Sequence, residues 1–110
     1  MDYLFERREG AMIVSVRGRV DESSWVAFGV GLSEAIDKAR EAGFHSVVID
    51  LAGLEYMSSR GLRVLTVAKR EGEAAGVTVS LASPNEVMRE ILAISRYDRL
   101  FKVTEKVETD

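Results

Sequence analysis

Residues 47–65, with the sequence VVIDLAGLEYMSSRGLRVL, contain the pattern that decides the fold. The first three residues are a short continuous apolar run that ends at Asp50, which is typical of a strand buried on both faces of a parallel sheet. From Ser59 onwards, apolar residues recur at helical spacing until Gly76, and they predict a helix over residues 59–75. The stretch is therefore predicted to form a strand, a loop and a helix, as in a layered α/β domain.

The segment before this stretch predicts a hairpin and another helix. Residues 3–7 and 11–17 read as two strands joined by a turn. After them, Asp21 is a candidate helix cap, because its carboxylate can accept hydrogen bonds from free N–H groups. The apolar face of the helix is predicted to lie in the core and consists of Trp25, Phe28, Leu32, Ala35, Ile36 and Ala39.

The segment after it predicts one more strand and one more helix. Residues 77–81 alternate as in a strand, and Pro84 is predicted to open a helix. Residues 100–103 are a candidate last strand, and the charged tail, residues 104–110, is predicted to be frayed. The order ββαβαβα, with this last strand, predicts one α/β domain over residues 1–110.

Composition excludes several classes of function. The chain has 110 residues, no cysteine and a net charge of −3. The absence of cysteine excludes disulfides and thiolate metal sites and favours the cytoplasm. The negative charge argues against nucleic-acid binding. The chain contains no apolar run long enough for membrane insertion, and its start does not resemble a signal peptide.

An enzyme is not predicted either. A serine nucleophile needs a base, but the single histidine, His45, precedes Ser59 by fourteen residues, and no Gly-x-Ser-x-Gly elbow is present. The sequence also has no phosphate-binding loop and no cluster of acids and histidines. We therefore expect no catalytic residue, no cofactor and no metal.

The two serines at the predicted helix start, Ser58 and Ser59, allow two interpretations. A serine there commonly caps free N–H groups, and from the residues alone this structural interpretation is favoured. A phosphate on such a serine would instead lie near those N–H groups and the positive end of the helix dipole. It would add a charge of about −1.5 to −2 at the surface.

The stretch around these serines resembles the signature of the STAS domain of bacterial anti-sigma factor antagonists. The resemblance places Ser59 on the phosphorylated serine of that family, and Ser58 on a position that holds Asp or Ser. The other matching positions are Asp50-Leu51 at the strand end, Tyr56-Met57 before the loop, Gly61-Leu62 at the helix start, and Gly18-Arg19-Val20-Asp21 after the second strand. The resemblance implies a central mixed sheet of four to five strands, with the helices mainly on one side.

The resemblance also implies a mechanism. The unphosphorylated protein would bind an anti-sigma factor that is also a serine kinase, and so release a sigma factor. Phosphorylation of Ser59 would end binding, and a serine phosphatase would restore it. The implied partner-binding residues are Asp21, Tyr56, Met57, Ser58, Ser59, Arg60 and Arg63, and Asp50 is expected near the phosphorylation loop.

The sequence departs from the family signature at one position, and it also allows an alternative function. Arg60 stands where the family usually has Ser or Ala, and it would either pair with a phosphate or alter kinase recognition. The alternative function is that of a non-phosphorylated STAS subunit of a lipid ABC transporter or another regulatory complex, docked to an ATPase subunit. The sequence leaves open which sigma factor and kinase are involved, the upstream signal and the oligomeric state.

Overall fold

The computed structural model of the protein describes residues 1–107. Its strands are β1 (Asp2–Arg8), β2 (Ala11–Val20), β3 (Ser46–Met57), β4 (Thr78–Ala82) and β5 (Val103–Thr104). Its helices are α1 (Trp25–Glu41), α2 (Ser59–Ala74), α3 (Glu86–Ser95) and α4 (Tyr97–Leu100). No helix in this part of the chain is long and apolar enough to span a bilayer.

The strands form one mixed sheet in the order β1-β2-β3-β4-β5. The first pair is antiparallel, and the other three pairs are parallel. The antiparallel pair is closed by Glu9 and Gly10, which have φ angles of 48° and 85°. Positive φ at both positions suits a two-residue hairpin turn, because its twist matches that of the strands. The predicted hairpin and mixed sheet are confirmed.

Helices cover one face of this sheet. Alternate residues of the strands, such as Val14, Ile49 and Leu81, pack with Phe28 and the other buried residues of the helices in one large core cluster. The opposite face has a small cluster without helix residues, made of Ala11, Ile13, Val48 and Ala82, with Val107 packed against it. The two faces of the sheet therefore differ, and the main core lies between the sheet and the helices.

Strand β3 is longer than predicted. The sequence predicts that it ends at Asp50, but it continues along β2 to Met57. Two register shifts, each with one extra residue in β3, place Leu51, Leu54 and Met57 on the buried side at intervals of three. This spacing hides the period of two by which a strand is recognised, because each bulge inserts one residue that the partner strand does not match.

The structure corrects the predicted caps at the starts of α1 and α3. The carboxylate of Asp21 accepts hydrogen bonds from the N–H and the hydroxyl of Ser23, at 3.0 and 2.8 Å, and so it orders the turn before α1 rather than capping the helix. Helix α3 is capped by Asn85, whose side-chain oxygen accepts from the N–H of Met88 at 2.8 Å. Pro84 therefore precedes this helix and does not open it.

The C-terminal segment also differs from its prediction. Leu100 ends the short helix α4, and the last strand begins only at Val103. Thr104, where the predicted tail begins, pairs with Ala82. Residues 108–110 of that tail lie outside the described residues.

Candidate functional site

The candidate site is formed where two loops lie side by side at one end of β2 and β3. The N–H of Ser58 donates to the carbonyl of Val20 at 2.8 Å, which extends the pairing of these strands past Met57. A second link is the ion pair between Arg60 Nε and Glu22 Oε1, at 3.6 Å. The turn that contains Asp21 and the start of α2 therefore form one surface.

Ser58 and Ser59 have different roles at the start of α2. Ser58 is the N-cap residue, with extended backbone angles, and its hydroxyl oxygen accepts from the N–H of Gly61 at 3.3 Å. Ser59 is the first helical residue, and its side chain is exposed. Among residues 1–107, the Ser59 hydroxyl has no hydrogen-bond partner. Ser58 therefore caps the helix, and the Ser59 hydroxyl is left exposed to solvent.

Removing the two hydroxyls should affect stability differently. Ser58→Ala should lower the free energy of unfolding by about 1 kcal/mol, because it leaves an N–H group of α2 without its cap. Ser59→Ala should change it by less than about 0.5 kcal/mol, because an exposed hydroxyl without a partner is lost. Urea denaturation of both variants measures the difference. Equal losses would contradict the assignment of the cap to Ser58.

Gly61 allows the first turn of α2 to sit directly on the ends of the two strands. A Cβ atom on Gly61 would lie 2.5 Å from Met57 Cγ and 2.7 Å from Val20 Cγ1. The prediction that Met57 binds a partner is wrong, because its side chain is only 2% exposed and belongs to the core. Met57 instead supports the turn that carries Ser59.

Arg60 is held by two neighbours. Its guanidinium carbon lies 5.1 Å from the ring centroid of Trp25, and its Nε faces Glu22. Both partners of the ion pair are more than half exposed, so the pair itself contributes little to stability. Arg60 is thereby oriented toward the start of α1 and remains accessible from outside.

The structure adds Trp25 to the site, although the sequence predicts it only as a core residue. Its helical spacing predicts the core, and the ring does pack against the core cluster on one side while remaining only partly buried. The other predicted core aromatic, Phe28, is fully buried, as expected. The sequence offers no signal for the contact between Trp25 and Arg60, because it depends on how α1 and α2 are arranged.

The remaining predicted residues differ in exposure. Tyr56 is partly buried, and the guanidinium carbon of Arg19 lies 4.6 Å from its ring centroid. Arg63 is exposed on α2, and it has no ion pair within residues 1–107. The surface around Ser59 therefore carries three arginines, which are Arg19, Arg60 and Arg63.

The acidic part of the surface is the turn before α1. Hydrogen bonds from the hydroxyl of Ser23 and then from its N–H lower the pKa of Asp21 below its usual value. Asp21 therefore stays ionised at neutral pH, next to Glu22. The site combines this negative turn with the arginines of the neighbouring loop and helix.

Asp50 is not part of this surface, and the expectation that it lies near the loop is wrong. Its carboxylate accepts from the hydroxyl of Ser15 at 2.9 Å and from the N–H of Ala52 at 3.1 Å. Ser15 precedes Val20 by five residues of β2, which corresponds to about 17 Å at 3.3 Å per residue. The extension of β3 past Asp50 separates this carboxylate from Ser59.

Comparison with known sequences gives one family match and several relatives. The family model of the STAS domain matches residues 3–109. BtrV of Bordetella bronchiseptica, a candidate anti-sigma factor antagonist, is 32% identical over 109 residues, which are 98% of this chain and 90% of BtrV. A sulfate transporter of Bos taurus is 35% identical over 54 residues, which are 49% of this chain but only 7% of the transporter.

Solved structures share the fold. A candidate anti-sigma factor antagonist from Thermotoga maritima superposes with a TM-score of 0.81 at 18% identity, over 96% of this chain and 87% of that one. The anti-sigma factor antagonist SpoIIAA in its unphosphorylated form gives 0.71 at 18% identity, over 93% and 87%. SpoIIAA of Bacillus in its phosphorylated form gives 0.63, also at 18% identity, over 93% and 90%.

Proposed function

Because this chain belongs to the STAS domain family, we propose that it is an anti-sigma factor antagonist controlled at Ser59. In the unphosphorylated state it binds an anti-sigma factor that is also a serine kinase, and so releases a sigma factor. The similarity to BtrV over 98% of this chain supports this class of function. The proposed place of action is the cytoplasm.

The observation that carries the proposal is the state of the Ser59 hydroxyl. It is exposed, it is not used as a cap, and it stands at the first position of α2. A kinase can therefore reach it without unfolding the helix start. Phosphate there is also compatible with the fold, since N–H groups and the positive end of the helix dipole favour an anion at this position.

The charge of a phosphate would change the surface. It adds about −1.5 to −2 charges and a hydration shell that opposes burial against a partner. Asp21 and Glu22 already make the neighbouring turn negative, so the added charge would also be repelled by them. Arg60, which now faces Glu22 at 3.6 Å, is the cation nearest in sequence that a phosphate could attract.

The proposed contact surface consists of the exposed and half-buried residues of the two loops and the helix start. It is made of Asp21, Tyr56, Ser58, Ser59, Arg60 and Arg63, with the addition of Trp25 and without the buried Met57. SpoIIAA, which has this fold, has been solved in a phosphorylated form, and this supports phosphate as the switch. A serine phosphatase would reset the switch.

Phosphate mapping tests the proposal. The protein is incubated with ATP and its kinase, recovered by affinity purification with and without phosphatase treatment, and the labelled residue is located by mass spectrometry. We expect label on Ser59, its loss in Ser59→Ala, and its retention in Ser58→Ala. Label on Ser58 or Ser23, or an unlabelled protein with the cognate kinase, would contradict the proposal.

A second candidate function is a STAS module of a transport machine. The observation that favours it is the 35% identity to sulfate transporters over half of this chain. In that case the start of α2 would dock to a transporter subunit without phosphorylation. For a lipid ABC transporter, this subunit would be the ATPase. Recovery of a transporter ATPase rather than a kinase in the affinity purification would favour this function.

A further inference from the structure

A groove of about 930 Å³ lies between α1 and α2 and begins beside Ser59 at Arg60. Three of its lining valines are more than half exposed, namely Val26 at 59%, Val30 at 55% and Val67 at 55%. Within residues 1–107 nothing covers them. A continuous apolar stripe on two neighbouring helices is typical of an interaction surface.

The two walls of this α1–α2 groove run in the same direction. Contacts between the helices follow one another in the same order along both, namely Trp25 with Arg60 at 5.1 Å, the Cβ position of Gly29 with Val64 at 3.6 Å, and the hydroxyl of Ser33 with the carboxylate of Glu71 at 2.8 Å. The helices are therefore parallel, and these contacts close the floor of the groove. The outward-facing sides of α1 and α2 form its walls.

The groove has a positive end and a negative end. Arg60 and Arg63 line it at the start of α2, whereas Glu34, Asp37 and Glu71 line it at the far end. Since both helices begin at the arginine end, the positive ends of their dipoles also lie there. Arg60, Glu34 and Asp37 are partly neutralised by Glu22, Lys38 and Arg40, at 3.6 to 4.0 Å. Among residues 1–107, Arg63 at one end and Glu71 at the other have no ion pair, and so they carry the difference in charge between the two ends.

We propose that the α1–α2 groove binds one amphipathic helix of the partner, with acidic side chains at the arginine end and basic side chains at the Glu34–Asp37 end. The inference rests on the proposed function and deepens it by stating the chemistry of the partner segment. From Trp25 to Asp37 the groove is about 18 Å long, at 1.5 Å per residue, which corresponds to about three helical turns. Apolar residues at intervals of three and four would meet the valines.

A helix suits this groove better than an extended peptide. The walls are α-helices, whose backbone N–H and C=O groups are already paired within each helix. An extended segment would therefore bury its own backbone groups without partners, at a considerable loss of free energy. A helix satisfies these groups internally and brings only its apolar face to the groove.

Synthetic peptides test the inference on the whole protein. The probe is a 14-residue peptide stapled as a helix, with apolar residues at positions 4, 7, 8 and 11, glutamates in one terminal turn and lysines in the other. Two controls keep the apolar residues, one with glutamines for all charges and one unstapled with a central proline. Fluorescence anisotropy at low salt should show the charged helix binding at least about tenfold more tightly than either control.

Matched substitutions locate the binding site. Val67→Lys on α2 should weaken binding of the charged helix at least about tenfold, while Val87→Lys on α3 should leave it unchanged. The two valines are similarly exposed, at 55% and 51%, but only Val67 lines the groove. Equal losses in both variants, or equal binding of all three peptides, would overturn the inference.

Two other occupants have their own outcomes. If sedimentation shows a dimer that Val67→Lys converts to a monomer, a second copy occupies the groove and the partner helix is refuted. If the proline peptide binds as tightly as the stapled one, an extended segment is the occupant.

The two proposals can fail separately, because peptide binding needs no phosphate. An unlabelled Ser59 would refute only the proposed function. A labelled Ser59 without peptide binding would refute only the proposed role of the groove.

Discussion

Ser59→Asp should weaken binding to the proposed anti-sigma factor kinase by about a hundredfold or more, whereas Ser59→Ala should bind within about threefold of the unsubstituted protein. The reason is that Asp introduces a charge at an exposed position of the proposed contact surface, next to the ionised Asp21. Burial of that surface then requires the charge to lose its water, and this loss opposes binding even with Arg60 and Arg63 nearby. Titration calorimetry or surface plasmon resonance with the purified kinase measures both affinities.

The expected loss does not come from unfolding. An acidic residue in the first turn of a helix is favourable, because it faces the positive end of the dipole, so Ser59→Asp should keep or slightly raise stability. Ser59→Asn is the matched control, since it has the shape of Asp without the charge. If Asn weakens binding as much as Asp does, the effect is steric and the charge mechanism is wrong. If Asp binds as tightly as Ala, residue 59 lies outside the contact surface.

Gly72→Ala should lower the free energy of unfolding by about 2 kcal/mol, since overpacking at a rigid site costs up to about 3 kcal/mol and better helix propensity returns about 1 kcal/mol. A Cβ atom on Gly72 would lie 2.6 Å from the carbonyl oxygen of Val77 and 2.8 Å from Val79 Cγ2. The backbone there cannot easily move, because the N–H of Val77 donates to the carbonyl of Gly72 at 2.7 Å. Urea denaturation measures the loss.

Gly29→Ala is the matched control, and its effect should have the opposite sign. Gly29 also lies inside a helix, but a Cβ atom there would meet Val64 Cγ1 at 3.6 Å, an ordinary contact distance. The variant should therefore gain up to about 1 kcal/mol from helix propensity. If Gly72→Ala instead leaves stability unchanged or raises it, as Gly29→Ala should, the close approach of α2 to β4 does not limit residue 72.

Short-range patterns in the chain predict much of the fold. The hairpin, the order of strands and helices and the start of α2 at Ser59 follow from apolar periodicity and turn residues, because each depends on neighbours within a few positions. The prediction fails where the local pattern is ambiguous. The bulges of β3 give its buried residues a spacing of three, and so the local pattern predicts its end at Asp50 rather than at Met57.

The candidate site depends both on local sequence preferences and on tertiary packing. Local burial and capping preferences are enough to predict that serines stand at a helix start after a buried strand. Which serine caps the helix and which is free was decided by the backbone angles at Ser58, and these depend on the hydrogen bond between its N–H and Val20. The contact of Arg60 with Trp25 and the apolar α1–α2 groove with its charged ends likewise arise only from the packing of the helices. The physical reason is that parallel crossovers bring together helices far apart in the chain, and no local pattern of residues specifies the distance between them.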